Sequence, residues 1–409
     1  MRIGLIIYNS LDTISGGYLY DRKLVEHLRK CGDEVEIISL PYRNYAVHLT
    51  HNLHSLIFNH FSNSHFDILL QDELNHPSLF FLNRFIKGRY PVISIVHHLR
   101  ISEQQSTDPS DISIPTQSKV HAEPVLSLSK DGLRFVLPRF QSPQFWLYRI
   151  VERAYLNSVD GFIFNSEATK KTVENVIARS VLCDEAISDR DRHRDCFAKN
   201  ARNDMPRSIV AYPSGDRFSS TLTPEQIRAR ATQTPLKILF VGNLIPRKGL
   251  HTLLDALEKV SGNWELVIVG NTDVDRRYTE SIQRRLTPRI KLLGLLSDAQ
   301  LAGQFAISHL LVVPSQYEGF GIVYLEGMGF GLPAIATTSG GAGEIITHGE
   351  NGFLIERGDS ESLAQHLQSL IFDRDLLTQM SFNALERFKQ HPTWEESMER
   401  VRSFLLNVV

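Results

Sequence analysis

Leu310-Leu-Val-Val-Pro-Ser-Gln-Tyr-Glu-Gly-Phe-Gly-Ile-Val-Tyr-Leu-Glu-Gly-Met328 passes from an apolar run through a glycine-rich turn into a helical pattern. The run Leu310–Val313 has the unbroken hydrophobicity of a strand buried on both faces, as in a parallel sheet covered by helices. It ends near Pro314, and a helix is expected from near Gly321 to about Phe330. The same alternation recurs outward in both directions. Further strands are expected at Lys237–Val241, Glu265–Val269, Ile290–Leu293 and Ala334–Ala336. The first half offers Ile3–Tyr8, Glu34–Leu40, Asp67–Leu70, Val92–Val96, Gly161–Phe164 and Ile209–Tyr212. Strand-then-helix wording repeated twice over reads as an α/β chain of two doubly wound, Rossmann-like domains facing a cleft. A polar stretch at 217–235 carrying Pro224 and Pro235 separates them. Residues 1–216 are expected to form the first domain and 235–391 the second, with 392–409 a terminal helix packing back toward the first. No repeat of 20–50 residues is present.

The 409 residues are 42% hydrophobic and 22% charged, which excludes a mainly disordered, collagen-like or coiled-coil chain. Lys and Arg number 44 against 46 Asp and Glu, a net charge of -2, so no global basic excess drives binding to nucleic acid or to an acidic membrane. Cys31, Cys183 and Cys196 lack metal-ligand spacing and fit a reduced, cytoplasmic setting. The apolar run Ile3–Ile7 is too short for a signal peptide core. No stretch reaches the roughly 18 apolar residues of a membrane span. The expectation is a cytoplasmic protein, with peripheral contact at the inner face of the membrane permitted.

Three glycine-bearing turns carry the chemistry. In the first, Glu318 precedes the turn and Glu326 lies inside the helix, so the two address opposite ends of one ligand. Carboxylates accept well from sugar or ribose hydroxyls. Gly319 and Gly321, with Phe320 and Ile322 beside them, let backbone N–H groups approach a ligand, and the helix N-terminus adds donors and a positive dipole end suited to phosphate. The second turn is Val241-Gly-Asn-Leu-Ile-Pro-Arg-Lys-Gly-Leu250, at the carboxyl end of a strand, where ligands bind in open α/β sheets. Arg247 and Lys248 are there to neutralise a diphosphate. A basic pair on a loop is more often merely solvated, so this stretch gains weight only in company. The third, Thr338-Ser-Gly-Gly-Ala-Gly-Glu-Ile-Ile346, reads equally as a nucleotide-lining turn or a tight strand–helix connection.

Together these residues resemble the glycosyltransferase family 4 group of retaining enzymes, which have the GT-B fold. Glu318-x7-Glu326 matches that family's paired-glutamate motif, and Gly242–Gly249 its phosphate loop with Lys248. Tyr212-Pro-Ser-Gly-Asp216 and Asp160-Gly-Phe-Ile-Phe-Asn-Ser166 are similar to two further family stretches. Asn243 stands where the family often has Arg, with Arg247 a candidate replacement for that charge, and Glu344 stands in an altered glycine turn. The resemblance implies a nucleotide-sugar donor, UDP- or GDP-linked, and a glycan or lipid-linked acceptor, as in polysaccharide or glycolipid biosynthesis. It implies no cofactor and no metal. It assigns Glu318 and His97 to the transferred sugar, and Gly17, Gly242, Arg247, Lys248, Gly319, Phe320, Gly321, Ile322 and Glu326 to donor binding. Gly16, Asn243 and His98 are secondary candidates; His98 stands where the family has Asp. The alternatives are a nucleotide-sugar epimerase of the same fold and a non-catalytic scaffold. An NAD oxidoreductase is disfavoured because no G-x-G-x-x-G follows the first strand.

Other features carry less. His48, His51 and His54 at helical spacing read as a surface stripe. Asp273-Val-Asp275 matches the Asp-x-Asp that holds a metal in the other main glycosyltransferase fold, but so short a motif arises readily by chance. Leu79–Lys87 reads as a core helix rather than a membrane-touching one. Segments 103–143 and 180–206 read as inserted solvated loops, with wording that resembles translated genomic repeats.

Overall fold

Runs of Ile, Val and Leu without alternation must be covered on both faces, and the chain meets that demand with two helix-flanked parallel sheets. The computed structural model describes residues 1–51, 64–100, 125–129, 132–136, 143–188, 206–218 and 222–409. Its strands are β1 (Arg2–Tyr8), β2 (Glu34–Leu40), β3 (Ile68–Asp72), β4 (Val92–Val96), β5 (Val125–Ser129), β6 (Gly132–Val136), β7 (Gly161–Phe164) and β8 (Arg207–Val210). They continue with β9 (Leu236–Val241), β10 (Trp264–Val269), β11 (Ile290–Gly294), β12 (Leu310–Val312), β13 (Ala334–Thr337) and β14 (Gly352–Ile355). The first sheet runs β2-β1-β3-β4-β7-β8 and the second β11-β10-β9-β12-β13-β14, every neighbouring pair parallel. The winding direction reverses between β1 and β3 and again between β9 and β12, and the crevices at those two points are where such sheets take ligands.

Central strands β3, β4, β12 and β13 are buried at every residue, while edge strands β2 and β11 expose several of theirs. Every strand expected from an apolar run is present within two residues of its expected ends. The structure adds β14, whose four residues are too short a run to stand out. It also corrects the reading of segment 103–143 as loop throughout: β5 and β6 pair antiparallel, Val125 opposite Val136. Their alternating Val-Leu-Ser-Leu-Ser and Gly-Leu-Arg-Phe-Val wording around an Asp-Gly step is a hairpin pattern. The helix Glu167–Ser188 likewise runs into segment 180–206. The rest of both segments lies outside the described residues.

The histidine stripe is a second correction. His48 and His51 are 4% and 9% exposed, His48 stacked on Tyr8 at 4.3 Å and His51 hydrogen-bonded to Ser78 at 3.0 Å. The helix Tyr45–His51 turns this face to the first domain's core, and burial pushes the His48 ring down to about 4, so it stays neutral. His54 lies outside the described residues. In the Leu79–Lys87 run, Leu79, Leu82 and Ile86 are buried and Phe85 is exposed.

The helix Trp394–Leu406 opens on a capping box, Thr393 with Glu396. Its buried face, Trp394, Met398, Val401 and Leu405, joins the core of the first domain rather than the second. Asp33 clasps this arrangement: its Oδ1 accepts from the Met1 ammonium at 2.8 Å and its Oδ2 from Arg402 Nε at 2.7 Å. Burial opposes ionisation of Asp33, but Arg402 and the chain terminus outweigh it and hold the carboxyl below its ordinary value. Its stabilisation is therefore complete above the ordinary carboxylate range and is lost only as pH falls through the lowered folded value. Asp33→Ala should cost roughly 2–3 kcal/mol at neutral pH. Urea unfolding of both proteins at pH 7 and in acid should find that difference shrinking in acid; an unchanged midpoint at pH 7 would refute the clasp.

Candidate active site

The second domain's motifs meet at its winding reversal. Gly249 adopts φ +69°, and a Cβ there would lie 2.0 Å from the Pro314 carbonyl, so only glycine lets the loop after β9 press against the loop after β12. That approach brings Lys248 Nζ into a hydrogen-bonded ion pair with Glu318 Oε1, which also accepts from Ser315 Oγ at 2.6 Å. Burial of Glu318 opposes its ionisation, but the charges of Lys248 and Arg247 and the two hydrogen bonds prevail, and the carboxyl titrates below its ordinary value. Arg247 donates to the Tyr317 carbonyl at 3.0 Å. Gly242 lies under the Lys248 side chain. Asn243 contributes a backbone carbonyl that accepts from Ile245 N at 2.9 Å.

Gly321, at φ +96°, opens the helix Ile322–Gly329, one residue shorter at each end than expected. Glu326 is 3% exposed within it and pairs with Arg217, which also bonds Asp298 Oδ1 at 3.0 Å. Burial raises the Glu326 carboxyl above its ordinary value despite Arg217. The sequence reading missed Arg217, since nothing in the spacing ties position 217 to 326. A Cβ on Gly215 would meet the backbone at Leu325 and Glu326 within 2.7 Å, so the chain between domains presses directly on this helix.

The first domain answers across the cleft. A Cβ on Gly319 would lie 2.1 Å from the His97 carbonyl, and Ser166 Oγ donates to the Gly319 carbonyl at 2.7 Å. Glu344 accepts from the backbone N–H groups of Glu167 and Ala168 at 2.9 and 2.7 Å, capping a first-domain helix from the second domain. Gly16 faces Ile322, and Gly17 lies under the His97 ring. Phe320 is buried against Tyr212 and His391, each with ring centroids at 5.7 Å. His97 is 6% exposed, and its Nε2 stands 3.4 Å from Asp21 Oδ1. Burial pushes its ring down, but Asp21 and then Asp72 more than reverse this and hold it above its ordinary value. Asp21, Asp72 and Glu73, all buried beside it, were not foreseen from the sequence. His98 diverges: it lines a cavity of about 440 Å³ with Tyr8, Tyr45, Glu73, Arg100 and Tyr148. The acidic pair at 273–275 does not converge on the cleft turns: Asp275 caps the helix Arg276–Gln283 and Asp273 is an exposed partner of Arg276.

Residues 223–387 match the family model for glycosyl transferases group 1. The structure aligns with sucrose-phosphate synthase from Thermosynechococcus elongatus at TM-score 0.71 and 18% identity, over 100% of this chain and 98% of that one. It aligns with Anabaena HepE, solved with UDP and glucose, at TM-score 0.66 and 18% identity over the whole of both chains. The chain has the GT-B fold. Within that fold, sequence relatives match part of the chain. An uncharacterized glycosyltransferase of Methanocaldococcus jannaschii is 35% identical over 164 residues, 40% of this chain and 46% of the relative. A GDP-mannose-dependent monoacylated alpha-(1-6)-phosphatidylinositol monomannoside mannosyltransferase of Corynebacterium glutamicum is 31% identical over 214 residues, 47% of this chain and 55% of the relative. The chain thus spans about half the length of these curated relatives. Among the described residues of this GT-B chain, no helix is long and apolar enough to cross a membrane.

Proposed function

We propose that this protein is a nucleotide-sugar-dependent glycosyltransferase of the retaining family 4 type. The observation that carries the reading is the convergence of Lys248, Arg247 and Glu318 at the winding reversal of the second sheet, directly opposite His97. The donor lies in the cleft with its nucleotide on the second domain. Lys248 and Arg247 offset the diphosphate, where charge builds as the sugar departs, and the helix after Gly321 adds its dipole. The Lys248 ammonium has three donors, so it can hold Glu318 and reach a phosphate together. Glu318 receives sugar hydroxyls and Glu326 the ribose. Nε2 of His97 faces Asp21, leaving Nδ1 for the sugar. The acceptor hydroxyl, on a glycan or lipid-linked glycan, attacks from the face the nucleotide leaves. The UDP in HepE and the GDP-mannose dependence of the corynebacterial relative support a UDP- or GDP-sugar donor.

A thermal-shift screen of UDP- and GDP-sugars tests this reading, since a ligand specific to the folded state raises stability by mass action. A shift with one donor class is expected; none with any donor would refute it. With that donor, Glu326→Ala should raise KM by a factor equivalent to roughly 1–3 kcal/mol while the protein stays folded. Arg217→Ala should move KM in the same direction by releasing the Glu326 carboxylate. Donor binding should survive EDTA, because side chains and a helix terminus offset the diphosphate.

A further inference from the structure

Three acidic side chains are buried around one imidazole at the carboxyl ends of β3 and β4. Asp21, Asp72 and Glu73 are 0%, 1% and 3% exposed. Asp21 lies on the buried face of the helix Gly16–Lys30 beside Leu24, Val25 and Leu28, Asp72 closes β3, and Glu73 follows it. Among the described residues, the imidazole of His97 is the only basic side chain paired with any of them. Asp21 Oδ2, Asp72 Oδ2 and Glu73 Oε1 are buried with no hydrogen-bond partner. Carboxylates taken out of water without partners cost several kcal/mol each, and proteins keep such groups by pairing them, by leaving them protonated or by binding metal.

The geometry supplies a ligand set. One ligand atom each from Asp21, Asp72 and His97 lies within 4.8 Å of the other two. Ligands about 2.1 Å from one ion stand roughly 3–4 Å from each other, so small side-chain adjustments complete such a shell. We propose that Asp21, Asp72 and His97 bind one divalent metal ion of the Mn²⁺ or Zn²⁺ class. Two carboxylates with an imidazole suit those ions better than Ca²⁺ or Mg²⁺, which favour all-oxygen shells, and no thiol is present to select a softer metal. Glu73 Oε2 accepts from the His97 backbone N–H at 3.0 Å and so holds the strand end that presents the imidazole. The ion would sit on the first-domain side of the His97 ring, away from Lys248 and the diphosphate, and is independent of the exposed Asp273. It would neutralise the two aspartates and fix the ring plane of His97.

The test needs only the metal and the full chain, so it stands apart from the donor assignment. EDTA-stripped, dialysed protein is titrated with Mn²⁺ while the signal of free Mn²⁺ is followed by electron paramagnetic resonance. Metal content of the unstripped protein is read by mass spectrometry. One Mn²⁺ per chain is expected for the wild type and for Asp273→Asn. Affinity should fall roughly tenfold or more in Asp72→Asn, and equally in His97→Gln, which keeps a folded comparison if the aspartate variant unfolds. The proposal fails if the wild type binds no stoichiometric Mn²⁺ and carries no transition metal. It also fails if folded Asp72→Asn or His97→Gln binds as the wild type does.

Discussion

Lys248→Ala is expected to lower kcat by about 10²–10³-fold with whichever donor the wild type uses, the loss typical of removing one preorganised group from the site of developing charge. The ammonium does two things, and the variant separates them. It faces the diphosphate, and it neutralises Glu318, a residue only 9% exposed. Without Lys248 the Glu318 carboxylate keeps the Ser315 Oγ hydrogen bond beside the more distant charge of Arg247. Stability should therefore fall as well, by roughly 1–3 kcal/mol. Adding Glu318→Gln should restore the melting temperature, because the orphaned charge is gone, while leaving kcat depressed. Rapid-quench turnover and calorimetry on the single and double variants decide it. A Lys248→Ala enzyme with wild-type kcat would remove Lys248 from the donor site.

The second large effect is at Gly319. A methyl group there would stand 2.1 Å from the His97 carbonyl, with Asn165 Nδ2 at 3.3 Å behind it. Backbone cannot yield by an ångström without moving an element, so Gly319→Ala must push the glycine turn and the end of β4 apart. Both proposed sugar-contacting residues, Glu318 and His97, sit at that junction. Misplacing reacting groups by about 1 Å costs on the order of 10²-fold, and kcat/KM should fall by that much. Each domain's own core is untouched, so the far-ultraviolet spectrum should be unchanged. Small-angle scattering should find the variant more open than the wild type. Full activity in Gly319→Ala would mean that the close approach at His97 is not used in turnover.

The sheets were legible because a parallel strand covered on both faces is a run of Val, Ile and Leu that needs no long-range knowledge. Glu318, Lys248 and Glu326 were legible because each lies within a few residues of a glycine turn whose spacing is local. Arg217, Asp21 and Asp72 were not. Arg217 reaches Glu326 across 109 positions and Asp21 reaches His97 across 76, and such pairings are set by how strands are ordered in the sheet. The histidines at 48 and 51 were misread for the related reason that a short helix has two faces, and only the neighbouring Tyr8 and Ser78 decide which one is wet. The hairpin Val125–Val136 was overlooked because a charged, serine-rich setting masked a clear alternation.

The clasp of Asp33 by Met1 and Arg402 has a bearing on biosynthesis. The first domain's core is finished by Trp394, Met398, Val401 and Leu405, so a nascent chain carrying every strand of that domain still shows an uncovered apolar face. Asp33 waits for a partner 369 positions downstream. At roughly 5–20 residues per second, translation leaves that face exposed for about 10–40 s while the entire second domain emerges and folds. Truncations that stop short of residue 394 should therefore be captured by chaperones or aggregate even though they contain both sheets complete, and the first domain cannot be expressed alone as residues 1–216 without supplying the helix Trp394–Leu406 in trans.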